Sequence, residues 1–350
     1  MPLTTTAIGA FPKPDYLELP DWFGDPAGTD TTNPTGHWAE AVEKLGDELD
    51  GLLERATRDV VNDQVEAGVD IPTDGEMPRE NYIHYHCRHL LGIDFDHLSD
   101  RDARAGDYLT RVPTSVGPIS LGREYITTDW KRAQACTKRP VKITLPGPMT
   151  TADTTGDVYY NDDEKRGAAY ADALNVAIRA LADAGCKHIQ LDEPVFVRYV
   201  PAVLEFGIEN LERAFHRCPK SVTRTLHICC SYPGLLDATD CPKGPKEAYL
   251  QIAPDLDHSS IDAVSLEDAH RSNDNKLFEA FEKTTVILGC FDIGKSRVET
   301  VDEIRDRLRS VLQHIDVERL MVAPDCGLGL LGRGLAIEKL RNLSAAAKSI

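Results

Sequence analysis

The sequence has no run of 18 apolar residues, which excludes a membrane-spanning helix. It has no basic cluster either: 39 Lys and Arg stand against 57 Asp and Glu, a formal net charge of −18. A chain this acidic repels nucleic acid and anionic membranes, so neither is expected as a partner. The surplus of acid fits a salty cytoplasm or a plain solubility device. The opening stretch "MPLTTTAIGAFPKP" lacks the basic start and long apolar run of a signal peptide. There is no internal repeat, no low-complexity tract and no Gly/Ser linker, so a single domain over residues 1–350 is expected. There is also no paired CxxC of the zinc-finger kind. The nine cysteines are scattered through apolar segments. That favours a reducing compartment, the cytoplasm, with any special cysteine serving metal or catalysis.

What is present is an alternation. Short β-rich runs occupy 4–11, 68–76, 141–148, 187–194, 223–230, 261–268, 285–292 and 319–326. Helix-like stretches fall at roughly 38–68, 165–185, 203–216, 275–283, 301–314 and 334–348. The stretch "VDEIRDRLRSVLQHI" has amphipathic helical spacing, and "DAGCKHI" supplies a Gly stop before a strand. Eight strands alternating with helices predict an α/β fold, a (β/α)8 TIM barrel. Residues 77–140 break the pattern, being polar and turn-rich, and are expected to form an extended insertion near the mouth of the barrel.

In such a barrel the active site gathers at the C-terminal ends of the strands. Those ends read Gly9, Asp74 with Glu76, Pro146 with Gly147, Asp192 with Glu193, His227 with Cys229, Glu267 with Asp268, Asp292, and Cys326. Buried polar groups are costly unless paired, so packing alone does not account for this series. His227, Cys229 and Cys326 are ligand types that zinc prefers, and Glu267 is an acceptable fourth. They converge only if the barrel closes. Two cysteines at the end of a strand are also, taken alone, ordinary buried thiols.

The segments "AIGAFPKP", "PTDGE", "LPGPMT", "QLDEP", "LHICCSYP", "SLEDAH", "GCFDIGKSRVET" and "APDCGLG" carry a resemblance. From about residue 4 to 348 the chain resembles the catalytic C-terminal barrel of the cobalamin-independent methionine synthase family. Its superfamily includes zinc enzymes that alkylate coenzyme M, such as epoxyalkane:coenzyme M transferase. The resemblance implies zinc held by His227, Cys229, Glu267 and Cys326. It implies a homocysteine site made of the Ile8, Gly9 and Ala10 turn with Glu76 and Asp192. The carboxylates would pair the α-ammonium, and the turn amides would hold the carboxylate. Three departures stand beside it. Ala10 replaces a serine of the family's turn. The family's "DIH" reads Asp292-Ile293-Gly294, so its relay histidine is missing. No folate-stacking Trp follows "GPMT", and the family's folate-associated N-terminal half is expected to be absent.

The resulting expectation is a zinc-dependent S-methyltransferase that takes homocysteine to methionine. Its partners are a small thiol and a methyl donor: folate, a corrinoid protein or a sulfonium compound. A different thiol such as coenzyme M is the alternative acceptor, with Lys295 and Arg297 facing a sulfonate or else capping a helix. A barrel with a structural zinc is the non-enzymatic alternative. Asp292 is either the remaining half of a proton relay or a cap for strand-end amides. The segment "NYIHYHCRHL", with His84, His86 and His89, reads as a second metal site or as the wall of a donor pocket, where Arg79 and Tyr82 are placed to contact the donor. Gly327 and Gly329 are expected to permit a tight turn. Cys186, Cys230 and Cys290 are expected in the core, and Trp22, Trp38 and Trp130 are expected to pack.

Overall fold

The computed structural model describes residues 2–26, 33–103, 108–239 and 243–350. Its strands, numbered along the chain, are β1 (Thr4–Thr5), β2 (Leu90–Ala103), β3 (Tyr108–Leu121), β4 (Lys142–Pro146), β5 (Gly156–Asp157), β6 (His188–Asp192), β7 (Thr223–Ile228), β8 (Ala263–Leu266), β9 (Thr285–Gly289) and β10 (Leu320–Ala323). Strands β1, β10, β9, β8, β7, β6 and β4 lie side by side in that order, each neighbouring pair parallel. Single parallel bridges, Thr6 with Ile71 and Thr73 with Lys142, join the two edges through the segment around residue 72. This is the α/β barrel that the eight alternating runs predicted. The second run makes only bridges because Pro72 has no N–H to give to a ladder, although its carbonyl accepts from Lys142 N at 2.9 Å.

The strands are nearly continuous in burial, as a sheet covered on both faces requires. The barrel interior is mixed. Ile8, Ala263, Ile287 and Ala323 form its apolar cluster, while buried Lys142, Thr144, Gln190, Thr225, His227 and Ser265 come from the same parallel strands.

The helices follow local signals. Asp162 caps Asp163–Ala184, which stops at Gly185 as expected. Val301–Val311 opens with a full capping box between Thr300 and Glu303. The single helix expected at 38–68 is two, Asn33–Leu45 and Leu49–Glu66, separated by a short 3₁₀ turn. The helix Ala248–His258 was not anticipated, because Pro254 sits inside it and reads as a breaker.

Residues 77–140 are more ordered than expected. They hold a helix at Tyr82–Cys87, the 14-residue antiparallel strands β2 and β3, and a helix at Ile126–Gln134. Strand β5 pairs with β3 to complete a small separate sheet. The hairpin escaped the sequence pattern because β2 is densely charged and only partly covered, while β3 carries Pro113, Gly117 and Pro118, which read as turn signals. Arg101 Nε donates to Asp153 O at 3.1 Å, tying the hairpin to the segment after β4, on the side where the strands end.

Candidate active site

Fourteen of the described residues, most of them at or just past strand ends, line one cavity. They include Ile8, Gly9, Ala10, Glu76 and Asp192 together with His227, Cys229 and Cys326. The first of these groups follows from β1 and the segment after residue 71. Thr73 Oγ1 donates to Gly9 O at 2.7 Å, and Phe11 N donates to Gly75 O at 3.0 Å, so the turn is fixed from both sides. Gly9 is needed for close approach: a Cβ there would lie 2.6 Å from Glu76 Oε1. Glu76 itself has φ of 60°, a conformation uncommon for a residue with a side chain. Its Oε1 accepts from Thr144 Oγ1 at 2.8 Å and lies 3.4 Å from Arg79 Nη1. Arg79 is buried and also pairs with Asp74 at 3.3 Å, so it faces these carboxylates and the strand β4.

Asp192, at the end of β6, is positioned from below. Gln190 is two residues earlier on the same face, and its Nε2 donates to Asp192 Oδ1 at 2.7 Å and to Ile8 O at 3.0 Å. Lys142 Nζ in turn donates to Gln190 Oε1 at 2.5 Å. Burial pushes this lysine down to about 7. Burial also raises Glu76 and, more strongly, Asp192, to which the neighbouring Glu76 adds repulsion. The two acids therefore await a cation.

The second group of lining residues answers to different chemistry. Ligand atoms of His227, Cys229 and Cys326 all lie within 4.8 Å of one another. The two sulfurs are 3.6 Å apart. His227 Nδ1 is 3.0 Å from Ser265 Oγ, whereas its buried Nε2 has no hydrogen-bond partner. Burial holds this imidazole neutral, with its pKa down to about 3. Cys326 and burial together raise the Cys229 thiol. A neutral imidazole nitrogen without a partner beside two sulfurs is the donor set that a thiophilic divalent cation satisfies.

Glu267 is adjacent but otherwise engaged. Its Oε1 accepts from Cys230 N at 2.8 Å, and Oε2 lies 3.0 Å from His270 Nδ1 and 3.5 Å from Lys243 Nζ. It thus groups with Cys230 and His270 rather than with His227 and Cys326. Cys230 is buried as expected, but in polar company: Tyr249 Oη is 3.0 Å from its sulfur, and Arg271 Nη1 contacts it. Asp325 binds this turn to β10, its carboxylate accepting from the backbone N–H groups of Asp268, Ala269 and His270 at 2.8–3.0 Å. An Asp immediately before Cys326 was visible in "APDCGLG", but nothing local says that it reaches another strand's turn.

Asp292 stands apart from the cavity lining. Its Oδ1 accepts from Gly294 N at 2.8 Å, which is the amide-capping alternative. A Cβ at Gly294 would lie 3.0 Å from Pro233 Cγ, so that position has little room for a side chain. Lys295 donates to Ala238 O at 2.8 Å and Arg297 pairs with Glu303, and neither lines the cavity. The histidines of "NYIHYHCRHL" do not share a side, because the segment is helical. His84 bonds Thr35, His86 bonds Tyr125, and His89 stacks on Tyr125 at 3.9 Å. They form no metal-like group among the described residues. The expected turn after Cys326 is present at Gly329, where Leu331 N donates to Leu328 O at 2.9 Å. Neither glycine has a left-handed φ; what both supply besides is close packing, since a Cβ would fall 3.2 Å from Ala10 at Gly327 and 2.3 Å from the Phe23 ring at Gly329. Phe23 and Tyr232 also line the cavity without any local signal in the sequence, and Trp22, expected only to pack, lines it too.

Residues 27–219 and 245–349 match the model of a family described as the catalytic domain of cobalamin-independent synthases. Similar proteins include the methionine synthase of Sulfolobus acidocaldarius, 28% identical over 344 residues, covering 97% of this chain and 90% of the relative. The methionine synthase of Pyrococcus furiosus is 26% identical over 354 residues, covering 99% and 93%. Among solved structures, a B12-independent methionine synthase from Shewanella sp. W3-18-1 in complex with selenomethionine superposes with a TM-score of 0.88. It is 32% identical and covers 100% of this chain and 98% of that one.

Proposed function

Because the chain belongs to the family of cobalamin-independent synthase catalytic domains, we propose that it is a methyltransferase that makes methionine by methylating homocysteine at a zinc site. The carrying observation is that one cavity holds both a pair of buried acids with turn amides and a His–Cys–Cys group. An amino-acid thiol needs both: a cradle for its charged end and an electrophile for its sulfur.

His227 Nε2, Cys229 and Cys326 would hold the zinc, and the fourth place falls to Glu267 or to the incoming sulfur. When bound, zinc supplies deprotonation of the substrate thiol, so that the reactive thiolate exists at neutral pH. The chain's own residues do the rest. Glu76 and Asp192 take the α-ammonium, which restores their ionised forms. The backbone of Ile8–Ala10 takes the carboxylate, and Gln190 and Thr144 keep the two acids in place. Ser265 orients His227 so that Nε2 faces the sulfurs. The selenomethionine bound to the Shewanella relative supports a ligand of this shape. The methyl donor is a further substrate. The free thiols of the site are compatible with work in the cytoplasm, where they stay reduced.

X-ray absorption at the zinc edge of the reconstituted protein tests this. Homocysteine should add one sulfur to the metal's shell. An unchanged shell would mean a closed structural site and would overturn the proposal.

A further inference from the structure

Four aromatic side chains stand in the same cavity as the two sulfurs: Trp22, Phe23, Tyr82 and Tyr232. They form a connected group. Trp22 lies 5.1 Å from Phe23, 5.8 Å from Tyr82 and 6.3 Å from Tyr232, and Phe23 lies 5.0 Å from Tyr232, centroid to centroid. They come from three distant segments, and each segment is fixed. Tyr232 Oη donates to Gly327 O at 2.8 Å and accepts from Leu330 N at 3.3 Å. Trp22 N donates to Glu80 O at 3.0 Å. Asp21 caps the turn Trp22–Gly24 and is held by Lys13 at 2.7 Å. Phe23 lies against Gly329 with no space for a side chain there. The rings are therefore set before any ligand arrives.

The rest of the lining points the same way. No Lys or Arg occurs among the described residues that line the cavity, so it offers no basic side chain to a polyanionic donor. Its acids, Glu76 and Asp192, are taken up by the acceptor's α-ammonium, which leaves the ring faces for a methylated cation.

Given the methyl-transfer function proposed above, we propose that the methyl donor is a small onium cation, a sulfonium or quaternary ammonium compound, bound against the rings of Trp22, Phe23, Tyr82 and Tyr232. The chemistry balances without a further reactant. The acceptor thiol gives up its proton to solvent. Its sulfur then forms the new bond to the methyl carbon as the bond from that carbon to the donor's sulfur or nitrogen breaks. The electron pair returns to the donor atom, which leaves as a neutral thioether or tertiary amine. The leaving group needs no proton, so no acid is needed on the donor side of the cavity.

Two measurements test this. In the first, zinc-loaded protein and homocysteine are incubated separately with trimethylsulfonium, glycine betaine, methyltetrahydrofolate and methylcobalamin, and methionine is measured by mass spectrometry. Turnover with either onium compound is expected, and the two arms tell sulfonium from ammonium. Turnover with the folate or the corrinoid alone, or with none of the four, overturns the proposal. In the second, calorimetry without homocysteine compares tetramethylammonium with neutral neopentyl alcohol. The cation should bind at least ~10-fold more tightly, and Trp22→Leu and Tyr82→Leu should each remove most of that preference. Equal binding of cation and alcohol by the parent protein also overturns it. The zinc-edge signal of homocysteine is independent of both measurements, so failure here is distinguishable from failure of the methyltransferase assignment.

Discussion

The two walls of the cavity are built on opposite terms. The acidic wall is supported from below: Glu76 by Thr144 and Arg79, Asp192 by Gln190. The sulfur wall leaves His227 Nε2 buried without a partner and sets two sulfurs 3.6 Å apart. The difference shows where each wall expects its missing partner. The acids need one cation and are otherwise held in position. The sulfur wall sets an unpartnered imidazole nitrogen beside two thiols, a donor set that suits a thiophilic divalent ion.

The largest effect should come from breaking the sulfur wall. Cys326→Ser removes one of three clustered donors. Zinc affinity should fall by more than the roughly 10–100-fold typical of losing an outer partner of a metal ligand. Metal analysis after dialysis should find little zinc; full retention would contradict the ligand assignment.

Breaking the acidic wall should have a smaller and separable effect. Asp192→Asn should leave zinc content unchanged and raise the KM for homocysteine. Loss of a charged hydrogen bond is worth about 1.5–3 kcal/mol, roughly 10- to 100-fold. The same variant should alter the pH dependence of stability. Burial raises Asp192 above its unfolded value, so the folded state keeps this proton where the unfolded state has lost it. This acid's contribution to stability is therefore full at low pH and falls as pH rises between the unfolded and folded pKa values. Asp192→Asn should flatten that fall and raise the melting temperature of the ligand-free protein at neutral pH, on the order of 2 °C. Thermal melts across pH 4–8 check this, and an unchanged profile would show that Asp192 is not held protonated.

The smallest effect sharpens the comparison. Ser265→Ala removes the Nδ1 partner of His227 and keeps every ligand atom. Zinc affinity should fall by about 10-fold with the KM for homocysteine unchanged, as competition with a chelator would measure.

Much of the site was legible because its residues close short, strongly patterned strands. His227 and Cys229 share a face by the two-residue period of a strand, and Asp192 and Cys326 end runs of the same kind. Less legible were features that depend on where a side chain turns after the strand stops. Glu267 lies near the expected metal group, yet its oxygens are taken by Cys230 N and His270. Asp292 folds back on Gly294 N instead of facing the cavity. Phe23 and Tyr232 carry no local pattern at all; Phe23 fits in the space that Gly329 leaves, and Tyr232 is held by the carbonyl of Gly327. The hairpin of β2 and β3 was hidden for local reasons: dense charge blurs the alternation in β2, and Pro113, Gly117 and Pro118 interrupt it in β3.

By itself, the sequence determined the alternation of strands and helices, the acidic exterior, and the kinds of donor atom at the strand ends. These are local properties, set by side-chain periodicity and by what burial tolerates. Only the tertiary structure decided that His227, Cys229 and Cys326 share one space while Glu267 leans toward Cys230, and that four aromatic rings line the same cavity as the sulfurs. Closing the barrel brings β1 beside β10, and contacts between segments so far apart in the chain follow from closure and packing, not from any local pattern.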